Sequence, residues 1–309
     1  MLAELGKKLA ERWLSLLVLP GALYLAVAAT ARTLGHSHPF DLHRLTGQIT
    51  EWANAPAVGS TGGQVVLLAA ALGGAAAVGL VAQALGSLAE QLHLAADWRT
   101  WPVGAYSLAQ WATERRQTSW GTDAEAWYRH RDRGPWADPA ARQDAHAKMI
   151  RISPECPDRP TWSGDRIYAV AVRLERDYHL DLAALWPPLW LILPDTVRTE
   201  ITAARQALAR ATTLTAWALL YLALAAWWWP ATAITAVLAV TSWRRTRSAA
   251  DTYATLLEAA ARLHARDLAA QLGLDPAGPF TQESGDTLGR HLTPSPPPRP
   301  PDDTPVIGA

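Results

Sequence analysis

The thirty-three residues from Ala211 to Trp243 contain no Asp, Glu, Lys or Arg, and near their middle stands Trp227-Trp228-Trp229-Pro230. As one straight helix this stretch would measure about 50 Å, well beyond a hydrocarbon core of about 30 Å even with strong tilt. It therefore has to fold back on itself. The expected form is a helical hairpin with arms 212–226 and 231–243. It turns at the Trp-Pro segment, where the lipid–water boundary favours indole rings and proline ends a helix. The second arm is only thirteen residues long, so a full crossing and a re-entrant hairpin both remain open. Either version returns the chain to the side from which it came.

Two further apolar stretches set the rest of the layout. Residues 13–31, from Trp13 to Ala31, are uncharged and long enough to cross, with Pro20-Gly21 expected to kink the helix. A cleaved signal peptide competes with that reading, because Lys7 and Lys8 form a basic start and Ala29-Thr30-Ala31 resembles a cleavage site. The second span, 65–88, carries Ala71, Ala75, Gly79, Gln83 and Ser87 at steps of four. Small residues on one helix face allow a close approach in lipid, and Gln83 could hydrogen-bond across the contact. Lining a pore, with Ser87, Thr212, Thr213 and Thr215, is the other use such a face could have.

Charge gives the orientation. Lys7, Lys8 and Arg12 precede the first span, Arg99 follows the second, Arg205 and Arg210 precede the hairpin, and Arg244, Arg245 and Arg247 follow it. All fall on one side by chain parity, so both termini and the central domain are expected in the cytoplasm of a cell bounded by this plasma (inner) membrane. The expected order is a cytoplasmic N-terminus (1–12), span one, an external loop (32–64), span two and a cytoplasmic domain (89–211). The hairpin, an amphipathic helix (244–273) and a disordered Pro-rich tail (274–309) follow. The fold class is all-α. The 28 basic and 28 acidic residues cancel, which excludes the basic field that gathers nucleic acid; the partners expected are the lipid bilayer and other proteins or further copies. A single cysteine, Cys156, excludes an internal disulfide.

Within the polar stretches, "WYRHRDRGPW" (127–136) alternates basic and aromatic residues, but Asp123, Glu125, Asp132 and Asp138 dilute it to a solvated face. From 159 to 195 the text is RPTWSGDRIYAVAVRLERDYHLDLAALWPPLWLILPD. Ile167, Ala171, Leu174 and Tyr178 recur at the period of an amphipathic helix, and Thr161 or Ser163 can cap its start. Leu185 to Leu193 is an apolar patch too short to cross, and Asp195 can open a helix that runs into the hairpin. Pro160-Thr161, Gly164, Arg173, Glu175, Tyr178, Asp181, Trp186-Pro187, Leu189 and Leu193-Pro194 together resemble the motif of an uncharacterised, actinobacterial-type family of multi-spanning membrane proteins. This chain departs from it with Asp165 where Asn is usual, His179 where Gly is usual and Pro188 where Arg is usual. The resemblance implies the membrane layout and no activity. Beyond the hairpin, Tyr253, Leu257, Ala261, His264, Leu268 and Leu272 form the stripe expected to be buried.

Chemistry has little to stand on. GxSxG, GxxxxGK[ST], HExxH and GxGxxG are all absent, which removes the usual marks of acyl transfer, nucleotide use, zinc proteolysis and dinucleotide binding. The best metal candidate is the external "GHSHPFDLHR", where His36, His38, Asp41 and His43 crowd together, although Asp41 can equally cap a helix starting at Leu42. No cofactor is expected. The spans lack ionisable residues, which disfavours a transporter with a midplane site. The expectation is a non-catalytic, membrane-anchored scaffold or signalling component, with a homo-oligomeric channel as the alternative. An enzyme acting at the membrane surface would need Asp177, His179 and Asp181 to converge.

Overall fold

The computed structural model describes residues 4, 18–56, 58–136, 138–274 and 278–293. The predicted 1–12 segment (Glu4 apart), the first residues of span one (13–17) and the polyproline end (294–309) lie outside them. All regular structure among the described residues is helical: ten α-helices and two short 3-10 turns, with no strand. In chain order they are α1 (Leu19–Leu34), α2 (Leu42–Ala53), α3 (Thr61–Leu94), α4 (Val103–Asp132) and α5 (Pro139–Ile152). Then come α6 (Trp162–Tyr178), α7 (Leu182–Ile192), α8 (Asp195–Ala225), α9 (Ala231–Gln271) and α10 (Gln282–Leu292). The chain divides into two compact units: residues up to Ile167 with Thr202–Tyr253, and Tyr168–Ile201 with the residues from Ala254 onward.

Two helices, α3 and α8, are long and apolar enough to cross a membrane, with mean hydropathies of 2.4 and 1.4 over their best windows. Helices α1 and α7 are apolar but shorter. In the first unit these helices meet through small residues. Gly21 lies so close to the Ala75 backbone that a Cβ at position 21 would run into its carbonyl, and Gly86 faces Thr213 at near-contact distance. The buried face of α3 is Ala75, Gly79, Ala82, Gly86 and Ala89. This corrects the expected face, since Ala71, Gln83 and Ser87 are exposed. A strict step of four gains about 40° per step on a helix of 3.6 residues per turn, so such a series wraps around the cylinder; alternating steps of four and three hold one side.

At the Trp-Pro segment the chain turns between two helices. Helix α8 ends at Ala225, Trp227 and Trp228 both donate their backbone N–H to the Leu224 carbonyl, and α9 begins at Ala231. The two helices are joined by hydroxyls: Ser242 donates to the Ala211 carbonyl at 2.8 Å, and its oxygen lies 2.7 Å from that of Thr215. Ser242 has one hydrogen, and the carbonyl takes it, so Thr215 is the donor of the second bond. The arm at 231–243 and the expected amphipathic helix at 244–273 are one continuous helix of 41 residues, Ala231–Gln271. Charge changes at Arg244, but nothing there interrupts the hydrogen-bond ladder.

In the second unit the core is leucine: Leu174, Leu180, Leu185, Leu189, Leu257, Leu268 and Leu288 are buried. On α6 the buried face is Ala169, Val170 and Leu174, while Ala171 and Tyr178 of the expected stripe are only half-buried. On α9, Leu257, Ala261 and Leu268 are buried as expected and His264 is bonded to Asp267 at 2.9 Å, while Leu272 falls just past the helix end and is exposed. The predicted tail begins too early at 274. Helix α10 occupies part of it, capped by Thr281, which accepts from Ser284, and it buries Leu288 and Gly285, the latter against the Tyr178 carbonyl.

Candidate functional site

The polar residues of the first unit converge on the loop at 153–161. Asp165, in the first turn of α6, is 2% exposed. Its Oδ2 meets Arg116 Nη2 at 2.6 Å, and its Oδ1 accepts the backbone N–H of Asp158 (3.0 Å) and of Arg159 (2.8 Å). Arg116 also donates to the Ile152 carbonyl at 2.7 Å, Gln117 to Pro157 at 2.8 Å, and the Trp120 indole to Ser153 at 3.0 Å. On the other flank Trp98 donates to the Asp158 carbonyl at 2.9 Å, and Arg99 pairs with its carboxylate at 2.6 Å. Thr161 accepts from Gly164 N at 3.1 Å, which settles the cap of α6, and donates to the His93 carbonyl. Arg159 donates to Leu94 at 2.9 Å. Gly164 is needed because a Cβ there would crowd that same Leu94 oxygen.

Burial pushes the Asp165 carboxyl above the usual carboxylate range, against the opposing pull of Arg116 and the two backbone N–H groups. Buried and accepting three hydrogen bonds, Asp165 clamps a loop and is not placed to act as a base.

The second unit holds a chain of ion pairs. Arg173 meets Glu258 at 3.1 Å, and Arg262 meets Glu258 at 3.1 Å and Asp177 at 2.7 Å while its guanidinium lies 5.3 Å from the Tyr178 ring centre. The hydrogen bond from Arg262 holds the Asp177 carboxyl below its ordinary range. Helix α6 ends in an αL cap: His179 N–H bonds to the Glu175 carbonyl, and Leu180 N–H reaches back to that of Leu174. This puts His179 at φ +54°, a conformation that glycine adopts without cost. The His179 ring lies 3.2 Å from Asp286, and Asp181 caps α7 by accepting from Ala183 N at 2.9 Å. Asp177, His179 and Asp181 thus engage three different partners and form no acid–base cluster. Glu175 is exposed beside them and lines an open groove with His179, Asp181, Asp286 and Arg290.

The remaining predicted residues are scattered. Asp41 caps α2 by accepting from Arg44 N at 3.0 Å, and that bond holds its carboxyl below the ordinary range. Among the described residues no group of three or more His, Cys, Asp or Glu is gathered to hold a metal ion, so His36, His38, Asp41 and His43 do not form a site. Trp186 lies 5.8 Å from Trp190 on α7, and Pro187 sits inside that helix with Pro188, where neither can donate to the carbonyl four residues back. Gly164 belongs to the first unit, whereas Arg173, Glu175, Tyr178 and Asp181 belong to the second. Sequence reasoning passed over Arg116, Glu258 and Arg262. The last two stand four apart on one helix, a legible pair; Arg116 and Asp165 are 49 residues apart and carry no local signal.

No family model, curated protein or solved structure matches the chain, so its own geometry has to carry the functional reading.

Proposed function

We propose that this chain is an integral membrane protein with four membrane segments, 13–31, 65–88, 212–226 and 231–243, and with its polar helices and both termini on the cytoplasmic side of the plasma membrane. It acts as a non-catalytic scaffold or signalling component, through protein partners or self-association. Its membrane character is supported by α3, whose apolar window is only 17% buried. A soluble protein would cover such a helix, whereas here Val65, Val66, Leu68, Leu80 and Leu88 all stand exposed.

The observation that carries the four-segment layout is the Trp228 indole donating to the Pro39 carbonyl at 3.0 Å, with Phe40 edge-on to Trp229. It joins the tip of the hairpin to the loop that follows α1, so the hairpin reaches as far as the first segment does. The opposite end of α3 meets the polar helices, through Glu90 to Arg205 and through the His93 carbonyl to Thr161. Parity requires this distribution of contacts.

Self-association is favoured by Gln83, an exposed carboxamide in the apolar stretch of α3 with no partner among the described residues. Uncovered in lipid it would be costly, and a second helix would satisfy it. The same observation supports the oligomeric channel as the second reading; ion flux through reconstituted liposomes that changes with Gln83→Leu separates it from a scaffold.

Cys156 is the only cysteine and is exposed, so it reports sidedness in the unaltered sequence. Partial burial and the neighbouring Asp165, Asp158 and Glu155 raise its thiol, so labelling is best done at alkaline pH. A membrane-impermeant maleimide is expected to label inside-out vesicles and to spare right-side-out ones; the reverse pattern rejects the orientation. Crosslinking in intact membranes, followed by purification, is expected to recover a defined neighbour or a homo-oligomer, and recovery of the lone chain rejects the scaffold reading.

A further inference from the structure

Between α8 and α9 in the first unit lies a groove of about 380 Å³ lined by Ala204, Ala207, Arg210, Ala211, Leu214 and, on the facing helix, Arg245, Ser248, Ala249 and Thr252. Each wall carries one exposed arginine, Arg210 on α8 and Arg245 on α9, and α9 adds the hydroxyls of Ser248 and Thr252. Toward one end of the groove the α8 wall turns apolar, with Ala211 and Leu214 at the start of the uncharged stretch.

Arginines nearby are spoken for. Arg205 pairs with Glu90, Arg166 with Asp251, and Arg247 is held over Trp162 (4.2 Å) and near Trp243 (5.4 Å) while donating to the Arg151 carbonyl. Arg210 and Arg245 have no ion-pair or hydrogen-bond partner among the described residues, and no carboxylate lines the groove. Two uncompensated guanidiniums facing one cleft repel each other unless an anion bridges them, and arginine's planar donors suit a phosphate oxygen pair.

We infer that this groove is a binding site for the headgroup of an anionic phospholipid, its phosphate held between Arg210 and Arg245 with Ser248 as a hydroxyl donor, and the first methylenes of its acyl chains lying over Ala211 and Leu214. The inference rests on the membrane reading above, which places residue 211 at the cytoplasmic boundary, where anionic lipid is available to juxtamembrane arginines. The apolar half of the groove selects a lipid over a soluble anion, which would leave that half filled with water.

The test is native mass spectrometry of the full chain, purified in a non-ionic detergent and titrated with phosphatidylglycerol or phosphatidylcholine. Wild type is expected to retain phosphatidylglycerol in preference to phosphatidylcholine. The double variant Arg210→Gln/Arg245→Gln is expected to lose roughly thirtyfold in apparent affinity, since each arginine near an anionic surface is worth about a factor of five. Arg244→Gln, an exposed neighbour outside the groove, should leave retention unchanged. Leu214→Asn keeps both charges but makes the membrane-side end of the groove polar, and should weaken retention as well.

Equal retention of the two lipids, or an equal loss in Arg244→Gln, overturns the site. Displacement of phosphatidylglycerol by inorganic phosphate reassigns the groove to a soluble anion and overturns the lipid. Alkaline carbonate washing of membranes keeps the two readings apart. If the protein washes off, the membrane reading fails; if it stays and lipid selectivity is absent, the groove alone fails.

Discussion

The two units solve the same problem, holding helices together, with different residues. In the first, α3 meets α1 and α8 through glycine, alanine and threonine, and the leucines and valines of α3 point outward. In the second, leucines fill the interior and arginine–carboxylate pairs cover it. On the proposed membrane reading, the contrast follows from the surroundings of each unit. Where the medium is itself apolar, burying a leucine gains little, and close backbone approach with interhelical hydrogen bonds decides the packing. Where the medium is water, leucine burial is the main driving force.

Truncating one leucine in each unit would test the contrast with the largest signal. Leu189→Ala in the second unit is expected to cost about 2–5 kcal/mol, whereas Leu80→Ala, on the exposed side of α3, should cost almost nothing in detergent. Reversible unfolding followed by circular dichroism measures both, and equal costs would erase the distinction. Gly21→Leu attacks the first unit through its own device. It pushes α1 off the Ala75 backbone and should cost about 1–3 kcal/mol, far more than Gly62→Leu, where a Cβ meets open space.

His179→Gly should act in the opposite direction. It relieves a left-handed backbone at the loss of one exposed contact to Asp286, and a rise in stability of up to about 1 kcal/mol is expected. A fall would mean that the Asp286 contact outweighs the backbone. The smallest effect is a pH slope. Arg262 lowers the folded-state pKa of Asp177, so the unfolded chain takes up that proton first on acidification. The stability it confers is present above the ordinary carboxylate value of about 3.9 and fades as pH falls through the lower folded value. Asp177→Asn should flatten the acid limb of a melting-temperature profile, and an unchanged limb would place the pH sensitivity elsewhere.

Features that depend on neighbouring residues were legible in the sequence. The Trp-Pro turn, the caps by Thr161 and Asp41, and the unbroken run of α8 from Asp195 all follow from local rules of charge, proline and hydroxyl placement. Features that depend on the period over many turns were not. Ala71, Gln83 and Ser87 look like one face with Ala75 and Gly79, but the helix turns away from them, and the true partners Ala82 and Gly86 lie a residue off the series. Helix α10 was hidden because only Gly285 and Leu288 anchor it amid proline and glycine. The Arg116–Asp165 clamp joins distant segments, and nothing at either position announces the other.

The Trp228–Pro39 hydrogen bond joins residues 189 positions apart in the chain. At synthesis rates of about 5–20 residues per second, the Pro39 carbonyl waits roughly 10–40 s for the indole that will occupy it. For that interval α1 and α3 have to persist as a pair with one end of their bundle unfinished. The glycine seam at Gly21 then serves a purpose in time as well as in space: it lets the earliest helices hold each other before the hairpin that completes them has been made.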